Sequence, residues 1–491
     1  MPPGALELSA ALRESGDTFP HEALPLILRL LPLDARACAA CVCRAWRAAT
    51  SHPTLWEELS FEHCAVQVSD ATLALLCARA GAALRTLRVD TDACDGNRGV
   101  TAFGILVALR DGGCTGMRRL NAPFLLERPD MLDLEYADPE QQMLTAEMVQ
   151  ELAAACPLLQ HAACTLKCSP LDAVTVSAAL PGPLMLYCEG DGANQLTECL
   201  RFNTSFASLS LNGSTLGVAG ATQLAESLRV NHTLTRLHLL DHNRIGDAGA
   251  TQLAECLHIN VTLKSLDLSG CGIGAAGMAQ LVECLRVNAS LMSLGLGRNG
   301  IGVAGATQLA ECLRFNATLT SLHLYTNGIG DAGALLLAES LLNNATLTSL
   351  NLSSNNIGDV GAMRLADCLR INATLTSLRL NYNDIGVAGA TQLADSLRVN
   401  VSLKSLFLSS NDIGDDGATQ LAECLCVNVT LTSLDLFHNG IGDAGAMQLA
   451  VFLPSNTTLT NLDLLANDFG AAGKHALQAA CPPQCELHGC S

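Results

Sequence analysis

Two sets of residues in this chain have the types and spacing for chemistry. Cys256, Cys284, Cys312, Cys368 and Cys424 are separated by multiples of 28 residues. A regular ladder of thiolates could hold soft metal ions. Yet Ser227, Ser340, Ser396 and Phe452 fill the same place in the pattern. A ligand set would not tolerate that exchange, so small packing residues are expected. Cys481, Cys485, His488 and Cys490 form a second cluster near the end. Their spacing matches no recognised zinc motif. A frayed tail or a cap is expected, and no metal.

Ten Asn-x-Ser/Thr sequons start at Asn203, Asn231, Asn260, Asn288, Asn316, Asn344, Asn372, Asn400, Asn428 and Asn456. Read singly, each is a glycosylation acceptor. Read together, they follow a structural period. The expected role is a left-handed residue just past a helix end, with Thr opening the next strand.

No nucleophile motif, phosphate loop or HExxH is present. The glycines of Gly330-Asp-Ala-Gly333 recur through the units as turns. No enzyme activity and no cofactor are expected. The formal net charge is −19, without clustered Lys and Arg, which argues against nucleic acid. No run of about 18 apolar residues suggests a membrane span. Met1 to Ala11 lacks the charged and apolar regions of a signal peptide. The 22 cysteines are therefore expected to be reduced, in the cytoplasm or nucleus.

The elements that carry these residues are repeats. Leu263, Leu291, Leu319, Leu347, Leu375, Leu403, Leu431 and Leu459 each open an LxxLxL segment at a spacing of 28 residues. Leu234 precedes them by 29 residues and Phe206 lies 28 before that, which makes ten units. In one unit, Leu378 and Leu380 alternate as a short strand. Asn383 then bonds the turning backbone, and Ile385 covers the loop. Gly386 and Gly389 allow tight turning and close helix approach. Ala390, Leu393, Ala394 and Leu397 fall at helical spacing. Asn299, Asn327, Asn355, Asn411, Asn439 and Asn467 repeat the role of Asn383, and Cys271 stands in its place or one residue off. A single unit buries too little to offset its ordering entropy, so neighbours must stack. The unit resembles the ribonuclease-inhibitor-type leucine-rich repeat. That likeness implies an α/β solenoid, a horseshoe with a parallel sheet inside and helices outside. Regular repeats are expected over 191–480, degenerate ones over 59–190, and a Cys-rich tail over 481–491.

Residues 17–58 differ in character and contain both tryptophans. Leu24, Leu28 and Leu31 share one helical face, and Cys38, Val42 and Trp46 share another. The series Pro20, Glu22, Ile27, Leu28, Leu31, Asp34, Val42, Cys43, Arg44, Trp46, Leu55, Trp56 resembles an F-box. Departures are Phe19, Pro25 and Ala35. The resemblance implies a small all-helical module that docks a Skp-family adaptor through Pro20, Glu22, Leu24, Leu28, Leu31, Val42, Trp46, Leu55 and Trp56. With a cullin it would form a ubiquitin ligase, its repeats holding an unknown protein substrate. The alternative is a ligase-independent scaffold or regulator, NLR-like or Ran GTPase-activating-like.

Within the repeats, the residue between the second and third leucines varies while its surroundings stay fixed. The expected partner-binding concave face carries His238, Asp267, Arg298, His323, Tyr325, Arg379, Tyr382, Phe407, Asp435 and Phe437. Aromatic and Arg side chains are the usual anchors of protein interfaces.

Overall fold

The computed structural model describes residues 58–60, 70–88, 108–122, 154–155, 161–167, 185–188, 200–202, 207–211, 215–240 and 243–489. Pro20, Glu22, Leu24, Leu28, Leu31, Val42, Trp46, Leu55 and Trp56 lie outside the described residues. The chain divides into two compact units, Met1–Cys188 with Asn203–Leu209, and Glu189–Phe202 with Ser210–Ser491.

In the first unit, β1 (Glu58–Ser60), β2 (Thr86–Arg88), β3 (Arg119–Ala122), β4 (His161–Lys167) and β5 (Met185–Cys188) pair in chain order, all parallel. The register aligns Leu59, Leu87 and Leu120. Between β1 and β2 runs α1 (Asp70–Ala80), which buries Leu73 and Cys77. At Gly112 a Cβ would lie 2.7 Å from the Cys77 carbonyl carbon, so only glycine allows this approach to α1.

The strand β6 (Ser208–Leu211) falls at the division. In the second unit, helices α2 (Gly217–Leu228), α3 (Gly246–Leu257), α4 (Ala275–Leu285), α5 (Gly302–Leu313), α6 (Gly330–Leu341), α7 (Asp359–Leu369), α8 (Val387–Leu397), α9 (Gly414–Leu425), α10 (Asp443–Phe452) and α11 (Ala471–Ala480) alternate with short strands. These are β7 (Arg236–His238), β8 (Ser265–Asp267), β9 (Ser293–Gly295), β10 (Ser321–His323), β11 (Ser349–Asn351), β12 (Ser377–Arg379), β13 (Ser405–Phe407), β14 (Ser433–Asp435), β15 (Asn461–Asp463) and β16 (Glu486–His488). From β7 to β16 every strand pairs parallel with the next, and the middle leucines stay in register from Leu237 to Leu487. This is a leucine-rich-repeat solenoid. Strands stack about 4.8 Å apart and helices need about 8–10 Å. The stack therefore bends with its strands on the inner side. The tail expected to fray or cap supplies β16, which pairs with β15.

The core follows the repeat. Leu319, Leu322, Leu324, Ile329, Leu337 and Leu341 are all at most 1% exposed, and their counterparts in neighbouring units match them. At roughly 1.5–3 kcal/mol for each buried Leu or Ile, this layer is the main stabilising term.

Two asparagine ladders tie the units together. In the first, Asn327 Nδ2 donates to the Leu296 carbonyl at 2.9 Å, and Asn327 Oδ1 accepts from the Asn299 and Ile301 amides. Asn243, Asn299, Asn355, Asn383, Asn411, Asn439 and Asn467 repeat the donation. Cys271 occupies this position, its thiol 2.9 Å from the Leu239 carbonyl.

The second ladder is made by the sequon asparagines and corrects the sequence reading. Asn344 Nδ2 donates to the Leu313 carbonyl at 2.8 Å, and its Oδ1 accepts from the Thr346 and Leu347 amides. From Asn231 to Asn456 nine such residues are 2–7% exposed. None has a positive φ; the left-handed non-glycine residues are elsewhere. Their amide groups bridge successive units instead of capping their own helix by conformation.

A further rule links each unit to the next. Where the third residue of the IGxxG segment is Asp, its Oδ1 accepts two N–H groups at the following helix start. Asp331 takes those of Gly358 and Gly361 at 2.8 and 2.9 Å. Asp247, Asp359, Asp415 and Asp443 do the same. The receiving Gly274, Gly358, Gly386, Gly442 and Gly470 then have φ of −95°, −95°, −94°, −92° and −87°. Where Val or Ala precedes, Gly246, Gly302, Gly330 and Gly414 have φ of 58°, 60°, 60° and 60°. Their N–H groups donate to the carbonyls of Cys271, Asn327, Asn355 and Asn439. Gly386, expected at a tight turn, is thus extended. Gly389 permits the close helix approach, since a Cβ there would lie 3.0 Å from Ala362 Cβ on α7.

Candidate partner-binding face

Along each strand the middle leucine points into the core, so its neighbours stand on the other face. His238, Asp267, Gly295, His323, Asn351, Arg379, Phe407, Asp435 and Asp463 are therefore one row, each beside the next across the strands. Tyr325 and Phe437 follow the third leucine, and Arg298 and Tyr382 come one residue later. Arg298, Tyr382 and His438 hold φ of 54°, 54° and 51°, a left-handed turn that lifts them at the rim.

The structure brings four of the expected residues together, Arg379, Phe407, Asp435 and Phe437. The Arg379 guanidinium carbon lies 4.4 Å from the centre of the Phe407 ring, a cation–π contact. On the next strand, the Ser409 hydroxyl donates to Asp435 Oδ2, and the Phe437 amide donates to Oδ1 at 3.0 Å. Phe437 and His438 sit with ring centres 6.1 Å apart. Tyr382, after β12, is 59% exposed. Burial, with a smaller contribution from the Asp463 charge, raises the Asp435 carboxyl above the usual carboxylate range. His323 pairs with Ser321 Oγ at 3.0 Å, and a Cβ at Gly297 would lie 2.2 Å from the Tyr325 ring. Asp267 leans over Gly295 while accepting from Ser269 Oγ at 2.6 Å. From β8 to β13 is five strand spacings, about 24 Å. His238, Asp267 and Arg298 therefore belong to a separate patch from Arg379, Tyr382, Phe407, Asp435 and Phe437.

Sequence reasoning missed Ser409, which orients Asp435. It also missed Asp384, Asp412 and Asp468, exposed residues that follow the ladder asparagines. The signal was available: Gly272, Gly300, Gly328 and Gly440 fill this position elsewhere.

The cysteine row is packing. Cys256, Cys284, Cys312, Cys368 and Cys424 are at most 3% exposed. Burial pushes the thiols of Cys256, Cys284, Cys368 and Cys424 up to about 12 and that of Cys312 up to about 11. Among the described residues no group of three or more His, Cys, Asp or Glu could hold a metal ion. No helix of the described residues is long and apolar enough to cross a membrane.

Comparison with known proteins completes the picture. Residues 17–62 match the F-box-like family. Residues 230–254, 260–282, 315–338, 343–366, 372–394, 399–422 and 427–450 match the Leucine Rich repeat family. A segment of 49 residues is 49% identical to F-box/LRR-repeat protein 8 of Bos taurus; it covers 10% of this chain and spans 13% of that relative's length. Among solved structures, Leiomodin-1 Actin-Binding Site 2 is 23% identical over 30% of this chain and 86% of its own, with a TM-score of 0.26. The chain thus carries an F-box-like segment followed by an array of leucine-rich repeats.

Proposed function

We propose that the chain is the substrate-recognition subunit of a cullin–RING ubiquitin ligase. Its F-box-like segment docks a Skp-family adaptor, and its repeats present a target protein. One observation carries the reading: an F-box-like segment at 17–62 stands ahead of a regular array whose inner strand position changes residue type from unit to unit. A regular stack of identical ladders supplies position, and the chemistry of ubiquitin transfer resides in other subunits. Pro20, Glu22, Leu24, Leu28, Leu31, Val42, Trp46, Leu55 and Trp56 of the segment are the adaptor-facing residues of this reading. The target-facing surface is Arg379, Tyr382, Phe407, Asp435 and Phe437.

Affinity purification of the full chain from cells tests this. Adaptor and cullin are expected to copurify with the wild type, and Trp46→Ala is expected to lose both while keeping the thermal transition of the repeats. Equal recovery with Trp46→Ala, or recovery of neither protein with the wild type, sinks the ligase reading.

A further inference from the structure

The inner row changes character toward its C-terminal end. Asp435 and Asp463 are direct neighbours on β14 and β15. Like charges placed opposite each other destabilise a sheet, so the fold gives no reason for the pair. Among the described residues neither carboxylate is in an ion pair; the nearby His488 instead faces Glu486 at 3.8 Å. Each oxygen of Asp435 accepts one hydrogen bond and Asp463 Oδ1 accepts one from the Leu465 amide, which leaves acceptor capacity on both carboxylates. Burial, with a smaller contribution from the Asp463 charge, raises the Asp435 carboxyl, and the Arg379 cation on β12 offsets this only in small part. Asp384, Asp412 and Asp468 add exposed acidic residues to the same units.

The same row holds an independent unmet group. Asn351 is 1% exposed, its Oδ1 accepts from the Ser353 amide at 2.9 Å, and its Nδ2 has no hydrogen-bond partner. A buried donor without a partner costs about 1–3 kcal/mol. Asn351 stands on the same face as Phe407, Asp435 and Asp463, since the leucines beside it enter the core. From β11 to β15 is four strand spacings, about 19 Å, which an extended segment of about six residues spans.

Given that this face binds a protein partner, we propose that its occupant is an extended basic segment running across strands β11 to β15. A Lys or Arg side chain enters between Asp435 and Asp463. An apolar or aromatic neighbour seats against Phe407 and Phe437. A backbone carbonyl at the other end accepts from Asn351 Nδ2. The three groups along the row, a donor, an aromatic platform and a carboxylate pair, fix the direction of the segment as well as its charge.

Selection of a random peptide library displayed on phage against the full chain tests the proposal. Wild type is expected to enrich Lys or Arg beside an aromatic residue. A labelled peptide from that pool should bind Asp435→Asn/Asp463→Asn about tenfold or more weakly, and its binding to wild type should weaken with added salt. Asp463→Lys is expected to select acidic residues at the same place. The asparagine variant removes a like-charge contact, so its melting temperature should equal or exceed that of the wild type. Pools without a basic preference, or equal binding by the asparagine variant, overturn the proposal. If the selected peptides are also indifferent to Phe407→Ala and Phe437→Ala, or if nothing is selected, the partner-binding reading of the face falls with it.

Discussion

The five buried thiols make the folded state sensitive to alkali. In an unfolded chain a thiol ionises near 8.5, whereas in the array burial holds Cys256, Cys284, Cys368 and Cys424 protonated up to about 12. Above the unfolded value the native state binds more protons than the unfolded one. Stability is therefore fully present below about pH 8.5 and falls as pH rises toward the folded value, by about 1.4 kcal/mol per pH unit for each thiol. Replacing all five by Ser is expected to flatten this slope between pH 9 and 11 in urea melts. The replacement should fold, because Ser340 and Ser396 already sit at this position with their hydroxyls donating to the Leu337 and Leu393 carbonyls at 2.7 Å. An unchanged slope in the Ser variant rejects the assignment of the pH effect to these thiols.

At the scale of elements, the aspartate–glycine rule makes a prediction that no single unit contains. Gly330 has φ of 60° and open space around its missing Cβ, so Gly330→Ala costs backbone strain alone, about 1–2 kcal/mol. Val303→Asp supplies the acceptor that Asp359 offers Gly386, and the glycine should move to the extended form. There a Cβ would meet the aspartate oxygens at 3.4 Å, as at Gly386, which is ordinary contact. Gly330→Ala is then expected to cost less than half as much in the Val303→Asp background, read from a double-mutant cycle in urea. Additive effects would refute the rule. Such couplings explain what the sequence reveals and what it hides. Leu378, Leu380, Asn383 and Leu397 are legible because their roles follow from the local backbone and the period of one unit. The state of Gly386 is set by Asp359 in the unit before, and the role of Asn344 by the Leu313 carbonyl, so neither follows from local propensity. For the candidate site, variation singled out Arg379, Phe407 and Asp435. Only side-chain placement shows that Ser409 orients Asp435 and that Asp267 faces a different patch.

The second compact unit behaves as a one-dimensional stack, since each strand and helix touches only the next in line. Damage at one end should therefore stay local. At the C-terminal end β16 satisfies the last edge: the Leu464 amide donates to the His488 carbonyl at 3.1 Å, and the Glu486 amide to the Thr460 carbonyl at 2.8 Å. Cys485 is 9% exposed beneath this strand. A chain ending at residue 480 loses these partners and uncovers the apolar flank of the last unit. Native-state hydrogen exchange is expected to show lost protection at Asn461–Asp463 and in α11, with Ser321–His323 unchanged. The inner row would lose its acidic end first, since Asp463 sits on the strand that frays, while Arg379 and Phe407 stay ordered. Uniform loss of protection along the whole unit would mean that the stack unfolds as one cooperative body, and the independence of its ends would have to be abandoned.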